Sequence, residues 1–189
     1  MSRDDARLFF AADPDAAARD RLLQCQKSLQ KESWQREVRW LAPEYMHLTV
    51  KFLGATPRER IAEIVEHVRI RLMVPAMETE IDGISLFPNR KRPTVVAATL
   101  ADDDSLSRLA SRLGKMMLHF GYKPEKRKFR PHITIGRCGK GFPRGIDLSG
   151  QLDAPIVCLL DRLVLYESIT RPEGAEYIEI ARFHHNEEN

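Results

Sequence analysis

Cysteine is scarce in this 189-residue chain: three residues, Cys25, Cys138 and Cys158, an odd number with no CxxC spacing. That argues against a disulfide framework and against a structural zinc site, and makes a reducing cytosol the expected compartment. Long apolar runs are missing as well. The longest stretch without Asp, Glu, Lys or Arg spans residues 93–101, nine positions. A membrane helix needs roughly twenty. The opening Met1-Ser2-Arg3-Asp4-Asp5 lacks the apolar run of a secretory signal, which again points to the cytoplasm. Charge of one sign is not in excess: 30 Lys+Arg against 27 Asp+Glu leave a formal +3, which permits an anionic partner without demanding one. No HxxxH, HExxH or GxxxxGK[ST] pattern occurs. A zincin and an ATP-dependent ligase are therefore unsupported, and neither metal nor cofactor is expected.

What is present belongs to a folded globular protein, with 43% hydrophobic and 30% charged residues. A single domain over 1–189 is expected, with a frayed tail at 184–189. Strands are predicted over 7–12, 38–41, 46–53, 78–86, 94–100, 132–138, 156–166 and 177–183. Helices are predicted from Asp13-Pro14 to about residue 31, from Thr56-Pro57 to Pro75, and over 104–120. Asp13 reads as the first helix's N-cap. Several strands follow one another through short connections, so the class is α/β of the α+β type, with mixed or antiparallel sheets.

Within that order one pattern repeats. His47-Leu48-Thr49-Val50 returns 85 residues later as His132-Ile133-Thr134-Ile135, each after a proline-containing segment. Strand side chains alternate, so each tetrapeptide buries its aliphatic pair and presents an imidazole beside a hydroxyl. Two unrelated strand histidines are the bland alternative. With seven Thr and six His in the chain, two chance His-x-Thr occurrences have a probability of roughly 2% before the aliphatic positions are counted. Two histidines flanking one phosphorus suit acid–base phosphoryl transfer: one imidazole takes a proton from water while the other protonates the departing oxygen. An ordinary pKa near 6.5 lets both protonation states exist near neutrality. The threonine hydroxyls, Thr49 and Thr134, can donate to the phosphate oxygens.

With Arg39-Trp40 before the first motif, the phrase His47-Leu48-Thr49-Val50-Lys51-Phe52-Leu53-Gly54, and Phe129-Arg130-Pro131 leading into the second, the chain resembles the 2H phosphoesterases. Among them it is most similar to the LigT-like RNA 2′,3′-cyclic phosphodiesterases, also described as 2′-5′ RNA ligases. The resemblance implies a bilobal fold, two pseudo-twofold-related lobes with outer helices around a central cleft. It also implies metal-independent hydrolysis of an RNA 2′,3′-cyclic phosphate to a 2′-phosphomonoester, with His47 as proton donor and His132 as acceptor. Symmetry of the motifs alone leaves that assignment open. Two alternatives stand beside hydrolysis: ATP-independent 2′-5′ ligation at the same site, and a non-catalytic module that binds RNA or nucleotides. The expected partner is RNA with cyclic-phosphate ends, and the expected state is a monomer.

Arg130 lies two residues before His132, on the same face by alternation, and is a phosphate candidate. Arg137 follows the second motif where the family commonly carries a phosphate-contacting arginine. Parity points it away from His132 unless a bulge near Gly136 turns it back. Phe52 is the matching position, five residues beyond His47, and could stack on a base or sit in the core. Two basic loops, around Arg90-Lys91-Arg92 and over 123–130, offer Arg90, Arg92 and Lys128 as RNA contacts. Charged loops are as often only solvated surface. His67, His119, His184, His185 and Cys138 are given structural or tail roles.

Overall fold

The computed structural model describes residues 4–184 apart from 75, 102, 103, 161 and 173. Its strands are β1 (Asp5–Ala12), β2 (Val38–Trp40), β3 (Leu48–Pro57), β4 (Met77–Phe87), β5 (Val95–Leu100), β6 (His132–Cys138), β7 (Ile156–Leu160), β8 (Arg162–Arg171) and β9 (Gly174–His184). The helices are α1 (Ala16–Leu29), α2 (Ile61–Arg71) and α3 (Ser105–Leu118). All strands belong to one sheet ordered β7-β4-β5-β6-β3-β1-β8-β9, with β2 also paired to β6. Every pairing is antiparallel.

The sheet falls into two halves, β3-β1-β8-β9 and β6-β5-β4-β7, joined at β3 and β6 through the pair Leu48↔Ile133. Each half builds its joining strand the same way. β1 leads through α1 to β3, and β5 leads through α3 to β6. The central strands β1 and β5 are covered on both faces, which is why their sequences, LFFAA and VVAATL, read as near-continuous apolar runs. The helices exchange sides: α1 packs on β7 of the other half and α3 packs on β3. α3 does so with Leu106, Leu109, Leu113 and Met117, the apolar stripe legible in its sequence. One hydrophobic core runs through both halves. Curled sheet and outer helices make the expected bilobal α/β architecture.

Several expectations are corrected. The apolar run 156–166 is two strands, β7 pairing with β4 and β8 with β1, in opposite halves of the sheet. The chain passes almost directly from one to the other, which requires the sheet to curl until its ends approach. Asp15, not Asp13, caps α1: its carboxylate accepts from the Ala18 amide at 3.0 Å. Asp13 instead accepts from the Tyr166 hydroxyl at 2.9 Å. β3 continues through Pro57, and a 3₁₀ turn precedes α2. β9 reaches His184, which pairs with Arg162, so the strand runs into the expected tail; residues 185–189 lie outside the described part. The expected end of α2 at Pro75 also falls on an undescribed residue; the helix stops at Arg71.

Candidate active site

The junction of the halves brings the two repeated motifs together. In the antiparallel pair Leu48↔Ile133, carrying the register one residue either way sets His47 opposite Thr134 and Thr49 opposite His132. Leu48 and Ile133 are both fully buried, so alternation turns both histidines and both threonines to the other face. Four polar side chains thus form a crosswise square on the cleft floor, each imidazole diagonal to the other. Neighbouring strands keep that floor shallow beside the hydroxyls. Ala11 is the Cα partner of Thr49 and Ala97 that of Thr134, and both alanines are fully buried.

A bulge follows each motif at the same position. β1 pairs Ala11 with Thr49 but Phe10 with Lys51, which leaves Val50 extra. β5 pairs Ala97 with Thr134 but Val96 with Gly136, which leaves Ile135 extra. An extra residue reverses the alternation beyond it. Ile135 and Gly136 are consequently buried in succession and Arg137 emerges on the motif face. The same reversal directs Phe52. The displaced Ile135 carbonyl is held from two sides, by the Leu41 amide at 3.0 Å and by Gln26 Nε2 at 2.9 Å. Gln26, almost fully buried on α1, also donates to the Leu41 carbonyl at 2.7 Å. Its side-chain amide therefore braces the bend that aims Arg137.

The two histidines share a support and differ in their surroundings. His132 Nδ1 lies 2.7 Å from the Arg130 carbonyl. A carbonyl only accepts, so Nδ1 carries hydrogen and Nε2 is left as the lone-pair nitrogen of the neutral ring. His47 makes the corresponding bond to the backbone of Tyr45, also two residues earlier. Around His47 stand aromatic rings: Phe9 with centroids 5.0 Å away, Tyr177 edge-on at 5.1 Å and Tyr166 at 6.1 Å. Burial pushes the His47 imidazole down to about 4, and the nearby charges of Arg137 and His132 push the same way. His132 instead stacks on Phe87, centroids 4.3 Å apart and planes 18° from parallel.

The remaining predicted residues separate clearly. Arg130 lies 4.4 Å over the Phe87 ring and is thereby held beside His132. Arg137 is exposed, donates to the Tyr177 hydroxyl at 3.4 Å and sits near enough to His47 to act on its charge. Phe52 is 63% exposed, so it is not a core residue, and its ring lies 5.8 Å from Phe9. Arg90 is ion-paired to Asp147 at 2.7 Å, while Arg92 and Lys128 are exposed loop residues. His67 and His119 stack on each other at 5.1 Å away from the motifs, against Phe120. Phe9, Phe87, Tyr166 and Tyr177 complete the site without having a signal in the sequence. They come from four separate strands and carry no motif of their own. Among the described residues no cluster of three or more His, Cys, Asp or Glu is arranged to hold a metal ion, and no helix is long and apolar enough to cross a membrane.

Comparison with known proteins bears on the family and the fold. The profile of the family described as LigT like phosphoesterase matches residues 13–97 and 100–177. An RNA 2′,3′-cyclic phosphodiesterase of Thermotoga maritima is 32% identical over 174 residues, covering 90% of this chain and 91% of the relative. One from Methanothermobacter thermautotrophicus is 33% identical over 147 residues, 77% of each chain. Among solved structures, Escherichia coli LigT complexed with 3′-AMP superposes with a TM-score of 0.73 at 24% identity, over 97% of this chain and 99% of that one. A protein of Thermus thermophilus reaches 0.79 at 23% identity, over 97% and 100%. By its two-part family match across nearly the whole length, this chain belongs to the LigT-like phosphoesterases.

Proposed function

We propose that the protein hydrolyses RNA 2′,3′-cyclic phosphate ends to 2′-phosphomonoesters by acid–base catalysis between His47 and His132. The observation that carries this reading is the Leu48↔Ile133 register, which places an imidazole and a hydroxyl on each side of one cleft. A cyclic phosphate seated over the four side chains receives hydrogen bonds from Thr49 and Thr134 on its non-bridging oxygens. Water is deprotonated by Nε2 of His132 and attacks phosphorus. The P–O3′ bond breaks, and the departing O3′ takes a proton from His47. Only the ring bond is cleaved, so the phosphate stays on O2′. Arg137 and Arg130 supply positive charge to the phosphoryl oxygens, and this work asks nothing of a metal.

The surroundings of His47 bear on its part as donor. With its pKa near 4, His47 is unprotonated at neutral pH. An arriving phosphate anion beside it favours the imidazolium, so His47 takes up a proton from solvent as the substrate binds. The naming of relatives as RNA 2′,3′-cyclic phosphodiesterases supports the substrate class. The test is incubation with an oligoribonucleotide ending in 2′,3′-cyclic phosphate, in excess EDTA, with chromatographic identification of the product. A 2′-phosphate end is expected. A 3′-phosphate end reverses the polarity, unchanged substrate that is nonetheless bound leaves a binding module, and a 2′-5′ linked product with 5′-hydroxyl RNA makes it a ligase.

A further inference from the structure

Phe87 is the last residue of β4, with β5 between it and His132 on β6. Ser85 is the Cα partner of Ala97, itself the partner of Thr134, so alternation puts Phe87, two residues on, on the motif face. Its backbone is pinned there: the Phe87 carbonyl accepts from the Thr94 amide at 2.7 Å and from the Thr94 hydroxyl at 3.2 Å. The side chain is buried. The His132 imidazole stacks on its ring with centroids 4.3 Å apart and planes 18° from parallel, and Arg130 Cζ lies 4.4 Å from the same centroid. Arg130 Nη1 also donates to the Pro88 carbonyl at 3.5 Å, and the Arg130 carbonyl accepts from His132 Nδ1. The end of β4 thereby grips the 130–132 segment through side chain and backbone at once. The rings beside His47 stand farther off and at steeper angles: Phe9 at 5.0 Å and 31°, Tyr166 at 6.1 Å and 30°, Tyr177 at 5.1 Å and 78°.

We infer that Phe87 is a positioning residue for His132, its ring fixing the imidazole plane and steadying the imidazolium that forms when His132 takes a proton from water. The inference rests on the proposed two-histidine hydrolysis and adds the side chain that supports its base. In that step the proton of water moves to Nε2 while the oxygen bonds to phosphorus, and O3′ leaves with the proton of His47. His132 therefore gains a full positive charge. Its Nδ1–H meets a backbone carbonyl, which offers a dipole and not a full negative charge. The aromatic face adds to that dipole. A ring quadrupole is negative above its plane and attracts a cation within about 6 Å of the centroid. The neutral imidazole gains little from this field and the imidazolium more, so the ring favours the transition state over the ground state. Such support suits the histidine that acquires charge and works against one that must release it. The motifs leave donor and acceptor open by symmetry; the close, face-on ring falls to His132, the acceptor of the proposed reaction.

The experiment compares wild type with Phe87→Leu and with a protein carrying 3,4,5-trifluorophenylalanine in place of Phe87, on an oligoribonucleotide ending in 2′,3′-cyclic phosphate. Fluorine leaves the shape of the ring nearly unchanged and strips its face of negative potential. Phe87→Leu should lower kcat roughly tenfold, the worth of a desolvated cation–π contact, and leave KM within about twofold. The fluorinated protein should lose roughly threefold in kcat while melting near wild type, and it serves if Phe87→Leu does not fold. Fluorination in an Arg130→Gln background should give the same relative loss, because His132 still lies on the ring. In the NMR spectrum of the free protein the ring protons of His132 should be displaced upfield by Phe87 and return downfield in Phe87→Leu. Unchanged kcat on fluorination overturns the inference, since a ring that only fills space is indifferent to its quadrupole. A loss that vanishes with Arg130→Gln transfers the effect to the guanidinium and overturns it too. So does a rise in KM with kcat unchanged, which makes Phe87 a substrate contact. His132 ring protons unmoved by Phe87→Leu reject the stack itself. A wild-type protein that leaves the substrate intact removes the proposed reaction, and the role of Phe87 with it.

Discussion

The two walls of the cleft start from the same four-residue pattern and end as different environments. On one, His47 is packed among Phe9, Tyr166 and Tyr177. On the other, His132 lies flat on Phe87 beside the Arg130 guanidinium, next to an exposed basic loop. What is common to both is set by the backbone: a carbonyl two residues back that fixes the ring, a threonine two residues on, and a bulge at the fourth motif position. What differs is supplied by other strands. The duplication therefore fixes where two imidazoles stand, and the neighbouring strands decide that one is enclosed by aromatic rings and the other lies open beside basic side chains.

Removing either imidazole tests the shared part and carries the largest effect. His47→Ala and His132→Ala should each lower kcat on a cyclic-phosphate RNA by about 10²–10⁴-fold, the usual contribution of a positioned acid or base, with the fold retained by circular dichroism. Full activity in either variant breaks the two-histidine mechanism. A large loss in one alone breaks the equivalence of the two walls.

The unshared part is tested by pH. kcat/KM reports the free protein and kcat the complex. A donor must be protonated, so activity falls as pH rises through its pKa. That pKa is about 4 for His47 in the free protein, and the negative charge of a bound phosphate raises it. The alkaline limb of kcat should consequently lie above that of kcat/KM. Arg137→Gln removes a positive neighbour that holds His47 down, so in that variant the kcat/KM limb should move upward. If His47 instead governs the acid limb, it is the base, and the two walls exchange roles.

Sequence discloses the duplicated part far better than the difference between the walls. His47, Thr49, His132 and Thr134 are local patterns, and local alternation is enough to put each pair on one face. The aim of Arg137 is legible only as a condition, because a bulge depends on the partner strand; its bracing by Gln26 is hidden, since a glutamine on a helical stripe looks like any polar break. The boundary between β7 and β8 is invisible for a related reason. Their apolar residues run together, and only pairing with β4 on one side and β1 on the other separates them. The aromatic wall of His47 is assembled from β1, β8 and β9, residues far apart in sequence that share no spacing.

Arg137 and Phe52 sharpen the comparison further, being the same position of the two repeats, each turned to the motif face by the bulge before it. Arg137→Gln should cost roughly tenfold or more in kcat/KM, since a hydrogen bond to a charged group is worth about 1.5–3 kcal/mol. Loss of Gln26, as Gln26→Leu, should reproduce part of that defect by releasing the Ile135 carbonyl that sets the bulge, and a less stable protein should accompany it. The smallest effect belongs to Phe52. Its ring is 63% exposed and meets the His47 wall at Phe9, so it can stack on a base without holding the fold. Stacking on an aromatic ring is worth about 1–3 kcal/mol, and the open position of Phe52 places it at the low end. Phe52→Leu should then raise KM a few-fold, leave kcat and thermal stability near wild type, and affect purine substrates more than pyrimidine ones, because the larger base loses more contact. A loss in kcat equal to that of Arg137→Gln would make the two positions equivalent in function as well as in sequence, and would place phosphate chemistry, not base contact, on both walls.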